Sequence, residues 1–166
     1  MICPVCGFDN LQGSDECENC GADLRTADIP QPGSLLEDRL VSDQLEDVRR
    51  REPIFVSRDT PLRIAVRTMQ DEHVTCLLVG EGRRLDGILT ERNLLMRAAG
   101  RGLDGLKVGE VMTPDPVTLQ DHDTVAVAIH TMAQGAFRHV PLVEDGRVVG
   151  IVTAQDLFRH ILRILG

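Results

Sequence analysis

The strongest constraint on this chain is that part of it is written twice. Gly87-Ile88-Leu89-Thr90-Glu91-Arg92-Asn93-Leu94 returns 63 positions later as Gly150-Ile151-Val152-Thr153-Ala154-Gln155-Asp156-Leu157. Each copy reads as an apolar strand that ends in a threonine and runs straight into a helix, with a short polar side chain three positions after the threonine. A helix that starts at a strand end points unpaired backbone N–H groups and a positive dipole end at the space before it. That setting suits an anion such as phosphate. Two such starts in one chain predict a pseudo-symmetric pair with two clefts.

The neighbouring elements repeat in the same order. In the first copy, residues 54–56 read as a short strand and Thr60-Pro61 opens a helix carrying Leu62, Ile64, Ala65, Val66 and Met69. Residues 75–79 form a strand, residues 80–82 a turn, and residues 85–90 a second strand leading into a helix over 91–99. The second copy has Val117-Thr118-Leu119, a helix with Val125, Val127, Ala128, Ile129 and Met132, a strand over 139–143, and residues 148–153 running into the last helix. The predicted fold is α/β of the mixed α+β kind, two β-α-β-β-α repeats. Before them, Ser34 and Glu37 form a capping box for a helix over 35–49, closed by Arg49, Arg50, Arg51 and Pro53.

The first 24 residues follow another logic. Cys3-Pro4-Val5-Cys6-Gly7 and Cys17-Glu18-Asn19-Cys20-Gly21 are two knuckles that can place four thiolates around one ion. Phe8, Leu11 and Leu24 are too few to fold this segment by burial, so the metal would supply the folding energy. The competing readings are two disulfides, a thioredoxin-like redox pair or a disordered leader. The segment resembles a short zinc ribbon and also the knuckles of rubredoxin, which makes zinc the expected ion and iron the alternative. The expected organisation is a ribbon over 1–24, a linker over 25–34 marked by Pro30, Pro32 and Gly33, a first repeat with its leading helix over 35–105, and a second repeat over 106–166.

Charge narrows the partners. The formal charge is −8, and residues 1–24 hold Asp9, Asp15, Glu16, Glu18 and Asp23 with no lysine or arginine. This argues against nucleic acid, whose binding rests on neutralising phosphates. With no Trp or Tyr and four Phe, a stacking platform for single strands is missing as well. No apolar run is long enough for a bilayer, and the start Met1-Ile2-Cys3-Pro4 lacks the pattern of a secretory signal, so a cytoplasmic setting is expected.

Val111-Met112-Thr113-Pro114, residues 138–143 (Arg-His-Val-Pro-Leu-Val) and Gly150-Ile151-Val152-Thr153 with Asp156 together resemble a tandem pair of CBS domains, a Bateman module, over roughly 35–166. The resemblance implies two repeats packed through their sheets with pseudo-twofold symmetry, clefts that bind adenine nucleotides (AMP, ADP, ATP) or adenosyl compounds, and homodimerisation through helices into a flat disc. It implies a regulatory, non-enzymatic role. In the favoured cleft, Asp156 would accept the ribose hydroxyls, and Thr153 with Arg138, His139 and Thr60 would hold phosphate. Ala65, Val74, Thr75 and Ile151 would wall the adenine. The equivalent cleft holds Thr90, Asn93 and Thr124 and is the weaker site, since an amide offers one acceptor oxygen and no charge. Taken without the resemblance, Thr153 and Asp156 read equally well as a helix cap.

Cys76 lies inside an apolar strand and reads as a buried, inert thiol. His73, His122, His130 and His160 show no metal spacing. No nucleophile–base pair is legible, so catalysis is not expected. Two further roles stay open at this point. One is a ligand-free adaptor whose ribbon docks a client protein, and the other is electron transfer through an iron-loaded ribbon.

Overall fold

The computed structural model describes residues 3, 6, 8–11, 14–22, 24, 35–48, 51–98, 100 and 103–166. The expected linker, the Ser34 cap, Gly7 of the first knuckle, and Arg49 and Arg50 lie outside them. The chain forms two units, Met1–Asp38 and Arg39–Gly166. No helix of the described residues is long and apolar enough to cross a membrane.

In the larger unit the elements run α1 (Leu35–Ser42, begun in the smaller unit), a 3-10 turn at Leu45–Asp47, β1 (Phe55–Val56), α2 (Leu62–Asp71), β2 (Cys76–Val79), β3 (Gly87–Thr90) and α3 (Glu91–Asn93). A π turn, Leu94–Ala98, continues α3. Then follow α4 (Val108–Val111), β4 (Thr113–Pro114), α5 (Val125–Gly135), β5 (His139–Glu144), β6 (Arg147–Thr153) and α6 (Ala154–Leu165). The first sheet has the order β1-β2-β3-β4, and the second is the antiparallel pair β5-β6. At Gly87 a Cβ would stand 2.7 Å from Met112 Sδ and 2.8 Å from the Thr113 carbonyl oxygen, so the β3–β4 approach requires glycine there.

Alternation along the strands explains the layers. Leu77, Val79 and Leu89 face the core beneath α2, with Leu62, Ala65 and Met69. Leu78 and Ile88, on the opposite face, meet Val148 and Ile151 of the second sheet. The two sheets therefore pack against each other, and Ile88 and Ile151 are the same position of the doubled motif.

Connectivity adds an exchange that the repeat boundaries did not suggest. Leu45 and Val48 fill the core of the second repeat, with Val125, Val140, Leu142 and Leu157. Leu106, Val108, Val111 and Met112 fill the core of the first. The hydrogen bonds match: Leu45 N–H donates to Asp123 O and Val125 N–H to Asp43 O (2.9 Å each), while Val108 N–H donates to Thr60 O at 3.0 Å and Leu62 N–H to Leu106 O at 2.8 Å. Each repeat is completed by the segment that precedes the other one.

This exchange corrects two expectations. The leading helix stops at Ser42 instead of 49, because the chain turns away at Asp43 to pair Gln44 with Thr124. Asp43 is buried there and is held by Arg39 Nε at 3.1 Å and His160 Nε2 at 2.7 Å, while Arg163 Nη2 lies 3.0 Å from His160 Nδ1. The expected strand at 117–119 reduces to one bridge, Leu119 with Leu142, and the connector residues Thr113 and Pro114 form the strand beside β3.

Candidate functional site

In the small unit, Cys3 Sγ lies 3.7 Å from Cys20 Sγ and Cys6 Sγ 3.6 Å from Cys17 Sγ. All four sulfur atoms fall within 4.8 Å of one another, and the cysteines are free. A tetrahedral ion with metal–sulfur bonds of about 2.3 Å sets sulfur atoms about 3.8 Å apart, so the spacing fits a small metal site. The knuckle backbones hold it: Cys3 N–H donates to Phe8 O, Cys17 N–H to Ala22 O and Gly21 N–H to Cys17 O, each at 2.8 Å. Burial raises the Cys17 thiol, but the amides of Cys20 and Asn19 outweigh it and bring it down to about 6, which favours the thiolate.

Of the three larger apolar side chains in this segment only Leu24 is buried; Phe8 and Leu11 are exposed. The core here is Cys3, Cys17 and Leu24 with Ala22, which agrees with the expectation that burial alone would not fold this segment. Asn10, which carried no sequence signal, is buried and organises the loop. Its Nδ2 donates to Phe8 O at 3.0 Å and stands 3.6 Å from Cys17 Sγ, and its Oδ1 accepts from Glu18 N–H at 3.0 Å.

The doubled motif builds two cavities between the repeats. The first, about 290 Å³, is lined by residues 51–54, 73–76, 138–139, 151 and 153–155, with Leu78 and Glu91. Val74, Thr75, Arg138, His139, Ile151 and Thr153 thus come together at its wall. Asp156 is not at the wall; it is 4% exposed and hydrogen-bonded to Thr153, which is. Thr60 and Ala65 do not line it: Thr60 holds the crossing segment by its backbone, and Ala65 is buried in the core of the first repeat. The second cavity, about 930 Å³, is lined by Thr90 and Asn93, by residues 115–117 and 135–139, and by Leu95, Met96, Arg92 and Arg97 among others. Thr124 is not at that wall. It caps α5, accepting from Val127 N–H at 3.3 Å.

Strand register settles the equivalences. Cys76 pairs with Thr90 and His139 with Thr153, so Cys76 corresponds to His139 and Thr75 to Arg138. Likewise Arg51 pairs with Ile151 and Thr113 with Ile88, so Arg51 and Thr113 occupy the same place in the two clefts. In the sequence Arg51 belongs to the basic stretch that closes the leading helix, and no pattern marks it as a wall residue.

Both threonines are caps. Thr153 Oγ1 accepts from Asp156 N–H at 3.2 Å and donates to Asp156 Oδ2 at 2.5 Å, while Thr153 N–H donates to the same oxygen at 3.1 Å. That leaves Oδ1, with Arg51 Nε 4.0 Å away and Arg159 Nη1 3.8 Å away, both beyond hydrogen-bonding distance. In the other copy, Asn93 Oδ1 accepts from Thr90 N–H at 2.9 Å and from Thr90 Oγ1 at 2.7 Å, which uses both its lone pairs. Asn93 Nδ2 donates to Thr113 Oγ1 at 2.9 Å.

His139 and Arg138 line both cavities. His139 Nε2 is hydrogen-bonded to Thr75 Oγ1 at 2.7 Å across the repeats, and burial with the Arg138 charge lowers its pKa. Cys76 also lines the first cavity, and burial pushes its thiol up to about 12, so it is protonated and unreactive there. His160 is buried in the Asp43 network, whereas His122 and His130 are exposed.

The profile of the CBS domain matches residues 45–100 and 108–163. CBS domain-containing protein YhcV of Bacillus subtilis is 31% identical over 114 residues, covering 68% of this chain and 81% of that protein. CBS domain-containing protein CBSCBSPB3 of Arabidopsis thaliana is 33% identical over 106 residues, 62% of this chain; the match spans about a fifth (19%) of that longer relative. Among solved structures, the CBS domain pair of protein MJ0100, in complex with 5′-methylthioadenosine and S-adenosyl-L-methionine, is 25% identical with a TM-score of 0.65 over 70% of this chain and 98% of that one.

Proposed function

The chain belongs to the CBS-domain family, and from that premise we propose that it is a non-enzymatic regulatory protein that binds an adenine nucleotide or related adenosyl compound in the cleft at Asp156. The observation that carries the proposal is the unequal use of the carboxylate. The cap takes Oδ2 and leaves Oδ1 to receive both hydrogens of a ribose diol, behind a wall of Val74, Ile151 and the Thr153 helix start. The first cavity has a volume at the small end of ligand pockets, about 300–1,000 Å³. The adenosyl ligands bound by the similar CBS pair of MJ0100 support the ligand class.

The test is thermal unfolding with AMP, ATP and S-adenosylmethionine. A ligand at about 100 times its dissociation constant adds about 2.7 kcal/mol of stability. The proposal stands if at least one compound raises the unfolding temperature and Asp156→Ala abolishes that rise. It fails if none does, or if the variant responds like the parent. A ligand-free adaptor is the second reading, favoured by the observation that Thr90 and Thr153 are both engaged as caps; a protein unmoved by every adenosyl compound supports it.

The family resemblance supports a homodimer formed through helix faces, and Phe158, Leu162 and Leu165 on α6 and Leu95 and Met96 on the π turn are exposed apolar side chains available for one. A cytoplasmic setting accords with four thiols held for metal instead of disulfides. In the small unit zinc is the proposed ion, with Cys3, Cys6, Cys17 and Cys20 as its ligands, and the unit serves as a contact knob for a client protein. Protein expressed without added zinc is expected to carry one zinc per chain by elemental analysis. Iron in its place would turn the reading to electron transfer.

A further inference from the structure

Asp156 and Asn93 differ by one atom group, and the residues that face them differ with them. The carboxylate stands opposite Arg51; the amide stands opposite Thr113. Arg51 is fixed by its backbone, since its N–H donates to Ile151 O at 3.3 Å and so extends the strand that walls the first cavity. Its side chain is 42% exposed and its Nε approaches Asp156 Oδ1 to 4.0 Å, a distance that leaves its N–H donors turned to neither a hydrogen bond nor a locked ion pair with that oxygen.

The other charges around the cavity decide what Arg51 is for. Glu52 and Glu91 line the same cavity, with Arg51 and Arg138 as its lining cations, while Asp156, which does not line it, also has Arg159 Nη1 3.8 Å from its Oδ1. His139 adds no charge at neutral pH, because burial and Arg138 hold its pKa below the usual range; His73 also lines the space. With Arg138 alone a phosphate in the cavity would meet one guanidinium and the two lining carboxylates. With both arginines turned to it, the anion is held by two forks able to bind it bidentately.

We infer that Arg51 is a specificity-determining residue of the first cleft, which it makes selective for nucleoside phosphates over uncharged or cationic adenosyl compounds. In the unliganded protein its guanidinium faces Asp156 Oδ1. When a ribose diol takes that oxygen, the guanidinium turns to the ligand's phosphate. The inference rests on the adenosyl reading of the cleft given above. The second cleft, with Thr113 at this position and the Asn93 oxygen already saturated, lacks both halves of the device.

The experiment is calorimetric titration of the full chain with AMP, adenosine and S-adenosylmethionine, for the parent, Arg51→Thr and Arg51→Lys. The parent is expected to bind AMP at least about tenfold more tightly than adenosine, a difference typical of charge-assisted contacts. Arg51→Thr is expected to abolish that ratio while adenosine affinity changes less than about threefold, and Arg51→Lys to keep part of it, as a point charge does. Arg51 is half exposed, and unchanged circular dichroism of the variants confirms that they fold. Adenosine binding as tightly as AMP in the parent, or an AMP preference that survives Arg51→Thr, overturns the assignment and leaves the adenosyl reading intact. If none of the three compounds binds the parent, the adenosyl reading itself has failed.

Discussion

The two clefts are built from the same motif and hold different chemistry. In each, a threonine at a strand end caps a helix through the side chain three residues on, and a crossing segment contributes an edge residue opposite that side chain. The frame is therefore a property of the repeat. The filling is not: one cleft pairs a carboxylate with an arginine, the other an amide with a threonine. A buried carboxylate needs a cation or several N–H groups near it, whereas a buried amide is content with neutral partners. The residue opposite therefore differs between the clefts along with the capping side chain. Size runs the other way, since the larger cavity is the one whose polar group is already satisfied.

The largest effect is expected from forcing the second cleft to resemble the first. Asn93→Asp places a buried carboxylate with no arginine opposite and is expected to cost about 2 kcal/mol or more in urea unfolding. Adding Thr113→Arg is expected to recover part of that loss. A double-mutant cycle with no coupling between the two sites would show that the equivalence of Arg51 and Thr113 has no energetic content.

A smaller contrast lies in the caps. Thr153→Ala removes the hydroxyl donor to a charged oxygen and is expected to cost about 2 kcal/mol, against about 1 kcal/mol for Thr90→Ala, where the acceptor is neutral. Equal losses in denaturant unfolding would remove charge as the difference between the clefts.

The smallest expected effect concerns the wall they share. His139 has a folded pKa below its ordinary value of 6.5, so the unfolded chain binds the proton more readily. Its contribution to stability is complete above pH 6.5, and is lost as the pH falls from there toward the depressed folded value. His139→Gln should flatten that part of the stability profile, measured by thermal unfolding across the range. An unchanged slope would assign it to other groups.

Much of this was legible beforehand for a definite reason. Strand alternation, helix periodicity and the threonine caps are local, so residues 87–94 and 150–157 announced their structure without help from the rest of the chain. The four cysteines come together as their two short spacings suggest, with all sulfur atoms within 4.8 Å of one another. Expectations failed where a residue's partner is remote. The leading helix ends at Ser42 since the chain turns at Asp43 to pair Gln44 with Thr124; Thr60 holds a crossing segment by its backbone, and Thr124 caps α5.

By itself, the sequence determined that this protein is a doubled strand-to-helix unit with a cluster of four cysteines before it, and that Asp156 and Asn93 are unlike. Tertiary structure alone decided that each repeat is completed by the segment preceding the other, and that Arg51 stands opposite Asp156. Local patterns record the free energy of neighbours along the chain. The exchange joins residues as far apart as Asp43 and Val125, and the Arg51 pairing reaches Asp156, more distant still, so no period of 2 or 3.6 carries them.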